Sequence, residues 1–105
     1  MTILEKQKLV GGAVNIAAAA VPYRNEFANA TKFLHQQCLE LGVEIKTGIN
    51  ASKELIKDLA PETVVIATGS ILGRPDIDGA NLHHVVNAEK AIQHGVKGPE
   101  VIVVD

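Results

Sequence analysis

A run of β-branched and apolar residues, Thr63-Val64-Val65-Ile66, stops abruptly at the small-residue turn Ala67-Thr68-Gly69-Ser70. No other feature narrows the fold as far. Successive apolar residues without polar alternation suit a strand covered on both faces, as strands of parallel sheets are. A second run of this kind, Val101-Ile102-Val103-Val104, stands just before Asp105. Helical patterns separate these runs from each other and from two further β-prone segments. The predicted order is strand, helix, strand, helix, strand, helix, strand. That alternation implies an α/β fold, a mostly parallel sheet with right-handed crossovers between two helical layers.

The individual elements follow from spacing and punctuation. Thr2-Ile3-Leu4 is β-prone and runs into the charged stretch Glu5-Lys6-Gln7-Lys8, after which Leu9-Val10-Gly11-Gly12 makes a turn. A chain that begins inside a strand reads as a truncated piece of a longer one. Asn15 to Pro22 holds four consecutive alanines and is helical by propensity, with Pro22 as its end. From about Asn25 to Leu41, residues Phe27, Ala30, Thr31, Leu34, Cys38 and Leu41 recur every three or four positions and predict one inward helix face. His35 falls on the opposite, polar face. Gly42 suits the position just past the helix. Val43 to Thr47 then alternates as a strand. A helix from Ser52 to Leu59 has Ser52 or Asn50 as cap, and a short helix from Ala88 to His94 has Asn87 as cap and Gly95 as its close.

Composition excludes several function classes. The 105 residues read as one domain, in which two Phe, one Tyr and no Trp leave the packing to small aliphatics. A net charge of −2 with no basic cluster gives no attraction to nucleic acid or to an anionic membrane surface. No apolar run is long enough to span a bilayer, and Glu5, Lys6 and Lys8 interrupt any signal-peptide core. A single cysteine, Cys38, rules out an intrachain disulfide, so a reducing, cytoplasmic setting is expected. Cys38 lies on the apolar helix face and reads as a small buried hydrophobe. His83 and His84 are adjacent and project to opposite sides of an extended segment, and no ligand spacing for a metal is present.

The candidate chemistry is confined to three places. Glu5 ends a strand, where a carboxylate can accept hydrogen bonds from both hydroxyls of a ribose. The plainer alternative is a solvated charge. Gly11-Gly12 would let a ligand approach the backbone, or would simply form a turn. Ala67-Thr68-Gly69 lies at the carboxyl end of a predicted strand, the rim where ligands bind open α/β sheets.

Together these motifs resemble one family. Thr2-Ile3-Leu4-Glu5-Lys6, the stretch Val10-Gly11-Gly12-Ala13-Val14-Asn15-Ile16-Ala17-Ala18-Ala19, the turn Leu41-Gly42-Val43-Glu44, Val64 to Ser70 and Arg74-Pro75-Asp76-Ile77-Asp78-Gly79 are similar to the nucleotide-binding half of old-yellow-enzyme-related NADH:flavin oxidoreductases. That group includes 2,4-dienoyl-CoA reductase, 2-enoate reductase and trimethylamine dehydrogenase. The resemblance covers essentially the whole chain. It implies a partial Rossmann-like fold, and a much larger parent with a TIM barrel carrying FMN and an iron–sulfur cluster. Behind the barrel the family has domains for FAD (or ADP) and NAD(P)H. It implies that Glu5 and Lys6, Gly11 and Gly12, and Ala67, Thr68 and Gly69 line the nucleotide, and that the partners are the parent's other domains. The chain departs from the family in lacking the first strand and its G-x-G-x-x-G loop, so the pyrophosphate has no helix N-terminus to rest on. Asp78 also stands where a proline is common.

In a doubly wound sheet that missing strand is central. The run Val101-Ile102-Val103-Val104 is expected to fill the gap, within the chain or by exchange with a second copy. The leading expectation is an oxidoreductase cofactor-domain fragment, inactive alone. The alternatives are a stand-alone module that binds adenine nucleotides weakly, and a ligand-free interaction domain that dimerises through a sheet edge.

Overall fold

The computed structural model describes residues 1–20 and 25–103. The described elements are β1 (Thr2–Glu5), α1 (Gly12–Ala20), α2 (Asn25–Glu40), β2 (Glu44–Thr47), α3 (Lys53–Leu59) and α4 (Ala88–His94). The fold is α/β with a small parallel sheet. The chain divides into two compact units, Met1–Gly69 and Ser70–Asp105, where the sequence reads as one domain.

In the first unit β1 and β2 pair in parallel, with Thr2 opposite Glu44 and Glu5 opposite Thr47. Parallel neighbours need a long crossover, and α1 and α2 supply it. α1 packs on α2, and α2 reaches β2. The alanine-rich stretch is helical as its propensity predicts, but α1 begins at Gly12 rather than at Asn15. Pro22, its expected end, lies outside the described residues. α2 closes on Gly42, whose φ is +72°. The Val43 amide donates to the Cys38 carbonyl at 2.9 Å and the Gly42 amide to the Leu39 carbonyl at 3.0 Å. This pair of bonds satisfies carbonyls that the helix end would leave open. The Ser52 hydroxyl accepts from the Leu55 amide at 3.2 Å and starts α3. α3 ends on Ala60, a non-glycine residue at φ +42°.

The inner face of α2 keeps Thr31 and Cys38 from the expected stripe and is otherwise rotated. Ala28, Thr31, His35 and Cys38 are its half-buried positions. Phe27, Leu34 and Leu41 are 43, 62 and 80% exposed. Helix-on-helix packing explains the rotation: small side chains at Ala28 and Thr31 let α1 come close, whereas Phe27 and Leu34 would hold it away. Thr31 tolerates that position because its hydroxyl donates to the Phe27 carbonyl, at 3.4 Å. His35 therefore sits on the packed side, not on the polar face, and Cys38 is half-buried rather than buried.

Two predicted strands are not formed. Residues 63–66 have no strand pairing, and Val64, Val65 and Ile66 are 50, 82 and 82% exposed. Residues 101–103 are likewise unpaired, and Val104 lies outside the described residues. The expectation that this last run fills a sheet gap within the chain is thus overturned. Both runs have β propensity, but a parallel strand exists only where a neighbour takes its amides and carbonyls. The sheet of the described residues has two strands, so neither run has such a neighbour.

The second unit is built from turns and one helix. Turns close from Ala80 to Ile77, Leu82 to Gly79 and Val85 to Leu82. Arg74 ties this loop together, with Nη1 donating to the Ala80 carbonyl at 3.0 Å and to Asn81 Oδ1 at 3.1 Å. Ala80, at 5% exposure, is the one buried apolar residue among the described residues. α4 starts where Asn87 Oδ1 accepts from the Lys90 amide at 2.9 Å and closes at Gly95, as its punctuation predicts.

Candidate functional site

The carboxyl end of β1 opens onto a cleft of about 290 Å³. β1 contributes Ile3 and Glu5, β2 contributes Ile45, and the following turn contributes Val10 and Gly11. Val14 comes from α1, and Thr31, Leu34, His35 and Cys38 come from α2. The walls are chiefly apolar. Their polar groups are the Glu5 carboxylate, the His35 imidazole, the Thr31 hydroxyl and the Cys38 thiol.

Glu5 is half-buried and held by its own chain. Its Oε1 accepts from the Gln7 amide at 2.7 Å. Its carbonyl accepts from the Ile49 amide at 2.9 Å, and the Gln7 carbonyl accepts from the Gly48 amide at 2.9 Å. The segment leaving β1 is therefore laced to the segment leaving β2, and the carboxylate has a fixed starting point.

Gly11 is a glycine for reasons internal to the fold. Its φ is +115°, and a Cβ there would lie 2.6 Å from Asn15 Oδ1 and 2.7 Å from Thr31 Cγ2. The Asn15 amide nitrogen donates to the Val10 carbonyl at 2.8 Å, which pins the turn against the first helical turn of α1. Gly12, at φ +45°, faces open space.

Of the residues expected to line a nucleotide, Glu5 and Gly11 share this cleft. Lys6 and Gly12 adjoin them in the chain but do not line it. Ala67, Thr68 and Gly69 are exposed and are not among its walls. Their separation has the same cause as the missing strand: residues 63–66 are unpaired, so no sheet holds their carboxyl end at the rim. Sequence reasoning passed over His35 and Val14, whereas Thr31, Leu34 and Cys38 come from the helix face it expected to be inward. The spacing of Ala28, Thr31, His35 and Cys38 is as helical as that of the larger residues, but hydrophobicity alone favours Phe27 and Leu34.

Elsewhere the chemistry is sparse. Lys46 Nζ lies 3.2 Å from Glu44 Oε1, and Thr2 Oγ1 donates to Glu44 Oε2 at 3.1 Å. Hydrogen bonding from Lys46, then from Thr2, holds the exposed Glu44 carboxyl below its usual range. In the second unit a wider hollow of about 410 Å³ is walled by the exposed loop residues Asp76, Ile77, Asp78, Gly79, Asn81 and Leu82. His83 and His84 meet edge to face at 5.1 Å. No group of three or more potential metal ligands occurs among the described residues. No described helix is long and apolar enough to cross a membrane.

Related sequences place these features in context. The chain is 34% identical to a cinnamate reductase of Clostridium sporogenes, over 99% of its own length and 15% of that protein's. It is 32% identical to a bilirubin reductase of Mediterraneibacter gnavus, over 90% of its length and 14% of that protein's. An NADH oxidase of Thermoanaerobacter brockii is 35% identical over 74% of the chain and 12% of its own length. No family model matches the chain, and no solved structure matches it. The relatives are all oxidoreductases, and the chain corresponds to a small part of each. It matches a fragment of the oxidoreductase family that these proteins represent, the one its motifs resemble.

Proposed function

We propose that this chain is the nucleotide-binding segment of a multidomain NADH:flavin oxidoreductase, a partial Rossmann-like unit that holds the adenosine end of FAD or ADP. One observation carries the reading: Glu5 closes a parallel strand beside a cleft, in a chain related over 99% of its length to about a seventh of a reductase. A carboxylate at the carboxyl end of such a strand accepts from ribose hydroxyls. Gln7 occupies one of its oxygens, which leaves the other for the sugar.

The residues present fit the ribose and not the pyrophosphate. Gly11 turns its Cβ direction inward against Asn15 and Thr31, and the chain has no G-x-G-x-x-G loop. The phosphates would need amides from another part of the parent. An iron–sulfur cluster needs several thiolates, and Cys38 is the single cysteine, so a cluster would be held by other domains of the parent, as would the FMN that the family resemblance implies. Bound there, these groups supply the electron transfer, and the part played by this segment is to hold and orient the nucleotide.

Titration with FAD, ADP and NADH, read by melting temperature, tests this. The chain alone is expected to show no shift. In the longer protein that carries the segment, Glu5→Gln is expected to weaken nucleotide binding about tenfold, the loss of one charge-assisted hydrogen bond. A shift of several degrees for the chain alone at sub-millimolar nucleotide would establish a stand-alone binding module instead.

A further inference from the structure

We propose that Asn15 is a positioning residue of the nucleotide cleft: it holds the Val10–Gly11 wall in place beside Glu5, so that a ribose meets the carboxylate. The inference rests on the nucleotide reading above and deepens it, because it names what confines the sugar. Asn15 is not itself a wall of the cleft and acts through the backbone of its neighbours. It is the fourth residue of α1, whose sequence is otherwise alanine, valine and isoleucine after Gly12. Asparagine is a poorer helix former than alanine, because its carboxamide competes for backbone groups. Here that competition has a target. The Asn15 amide nitrogen donates to the Val10 carbonyl at 2.8 Å, five residues back and outside the helix.

Glu5 and Gly11 are joined by the loop Lys6-Gln7-Lys8-Leu9-Val10. Residues 6–9 are exposed, so the loop takes its shape from the ties at its two ends rather than from packing. At the first end the Gln7 amide donates to Glu5 Oε1 at 2.7 Å, and the Gly48 amide to the Gln7 carbonyl at 2.9 Å. The second end is tied twice to the first turn of α1. The Gly11 carbonyl accepts from the Val14 amide at 2.9 Å, a bond that any residue could make at position 14 except proline. The bond to the Val10 carbonyl is particular to Asn15. Its carboxamide lies across Gly11, where a Cβ would be 2.6 Å from Oδ1 and 2.8 Å from Nδ2. The glycine leaves room for the amide, and the amide holds the turn at φ +115°. Without that donor Val10 swings on Gly11, the backbone with the most freedom in the turn. The sugar then loses the wall that keeps its hydroxyls on the Glu5 oxygen left open by Gln7.

The test is calorimetric titration of the longer protein that carries the segment, with its nucleotide removed, using ADP and its dideoxy analogue that lacks both ribose hydroxyls. Wild type, Asn15→Ala, Asn15→Asp and Glu5→Gln are compared. Alanine raises helix propensity, and aspartate keeps the size of the side chain and places a negative charge in the first turn, so both are expected to keep the dichroism and melting temperature. Both lack the donor. Each is expected to bind ADP about fivefold more weakly and the dideoxy analogue within about twofold of wild type. If Asn15→Ala fails to fold, Asn15→Asp carries the same comparison. Equal weakening for the two nucleotides would make Asn15 a structural residue only and overturn the proposal. Unchanged ADP affinity in the Asn15 variants, with Glu5→Gln weakened, would overturn it and leave the nucleotide reading standing. A wild type that does not distinguish the two nucleotides, with Glu5→Gln unaffected, would overturn the reading and the proposal together.

Discussion

Two pairs of β-prone segments in this chain meet different fates. Thr2–Glu5 and Glu44–Thr47 are strands, and residues 63–66 and 101–103 are not. The unformed segments are the more apolar and more β-branched of the four. The difference is that the first pair is joined by a helical crossover that returns the chain beside itself, and the second pair has no partner among the described residues. Intrinsic preference proposes a strand, and pairing makes it.

The comparison can be broken most sharply at the crossover. Gly11→Ala adds a Cβ at 2.6 Å from Asn15 Oδ1 on a backbone at φ +115°. Strain and overpacking together are expected to cost about 2–4 kcal/mol. Far-ultraviolet dichroism under urea should show α1 and α2 melting early, and retention of wild-type stability would mean the turn is not what brings β2 to β1. Next comes a matched pair. Ile45→Ala removes a half-buried side chain and is expected to cost roughly 1–2 kcal/mol, while Ile66→Ala, at 82% exposure, should stay within about 0.5 kcal/mol. Equal losses would show residues 63–66 to be packed after all.

Ser52→Ala is expected to cost about 1 kcal/mol through its lost cap. Amide chemical shifts should move in the first turn of α3, and unchanged shifts there would mean that the Ser52 hydroxyl does not hold the helix start. The smallest effect is at Glu44. Its carboxyl titrates lower in the fold than in the unfolded chain, so its contribution is present above the usual carboxylate range and fades as the pH falls through that lowered value. The group is exposed, so an acid titration of wild type against Glu44→Gln should show a slight difference confined to low pH.

Local signals were legible in the sequence wherever the determining contact is close in the chain. Asn87 and Gly95 bracket α4, Ser52 caps α3, and Gly42 closes α2. These rest on a side chain or a positive φ within a few residues. What escaped was set by distant partners. Whether residues 63–66 form a strand depends on a neighbour many residues away. The face that α2 buries is chosen by the close approach of α1, and the larger side chains of Phe27 and Leu34 point to the wrong stripe. The site divided along the same line: Glu5 and Gly11 are brought to one cleft by the crossover, and Ala67, Thr68 and Gly69 depend on a strand that is not paired.

Cys38 lines that cleft and is the chain's single thiol. A thiol-directed dye therefore places one label on the cleft wall of the unmutated protein. Its reaction rate records how often the gap between α2 and the sheet opens wide enough to admit the dye. Any ligand, neighbouring domain or second copy that closes the gap would then be seen directly as a slower reaction, with no need to know beforehand which of them it is.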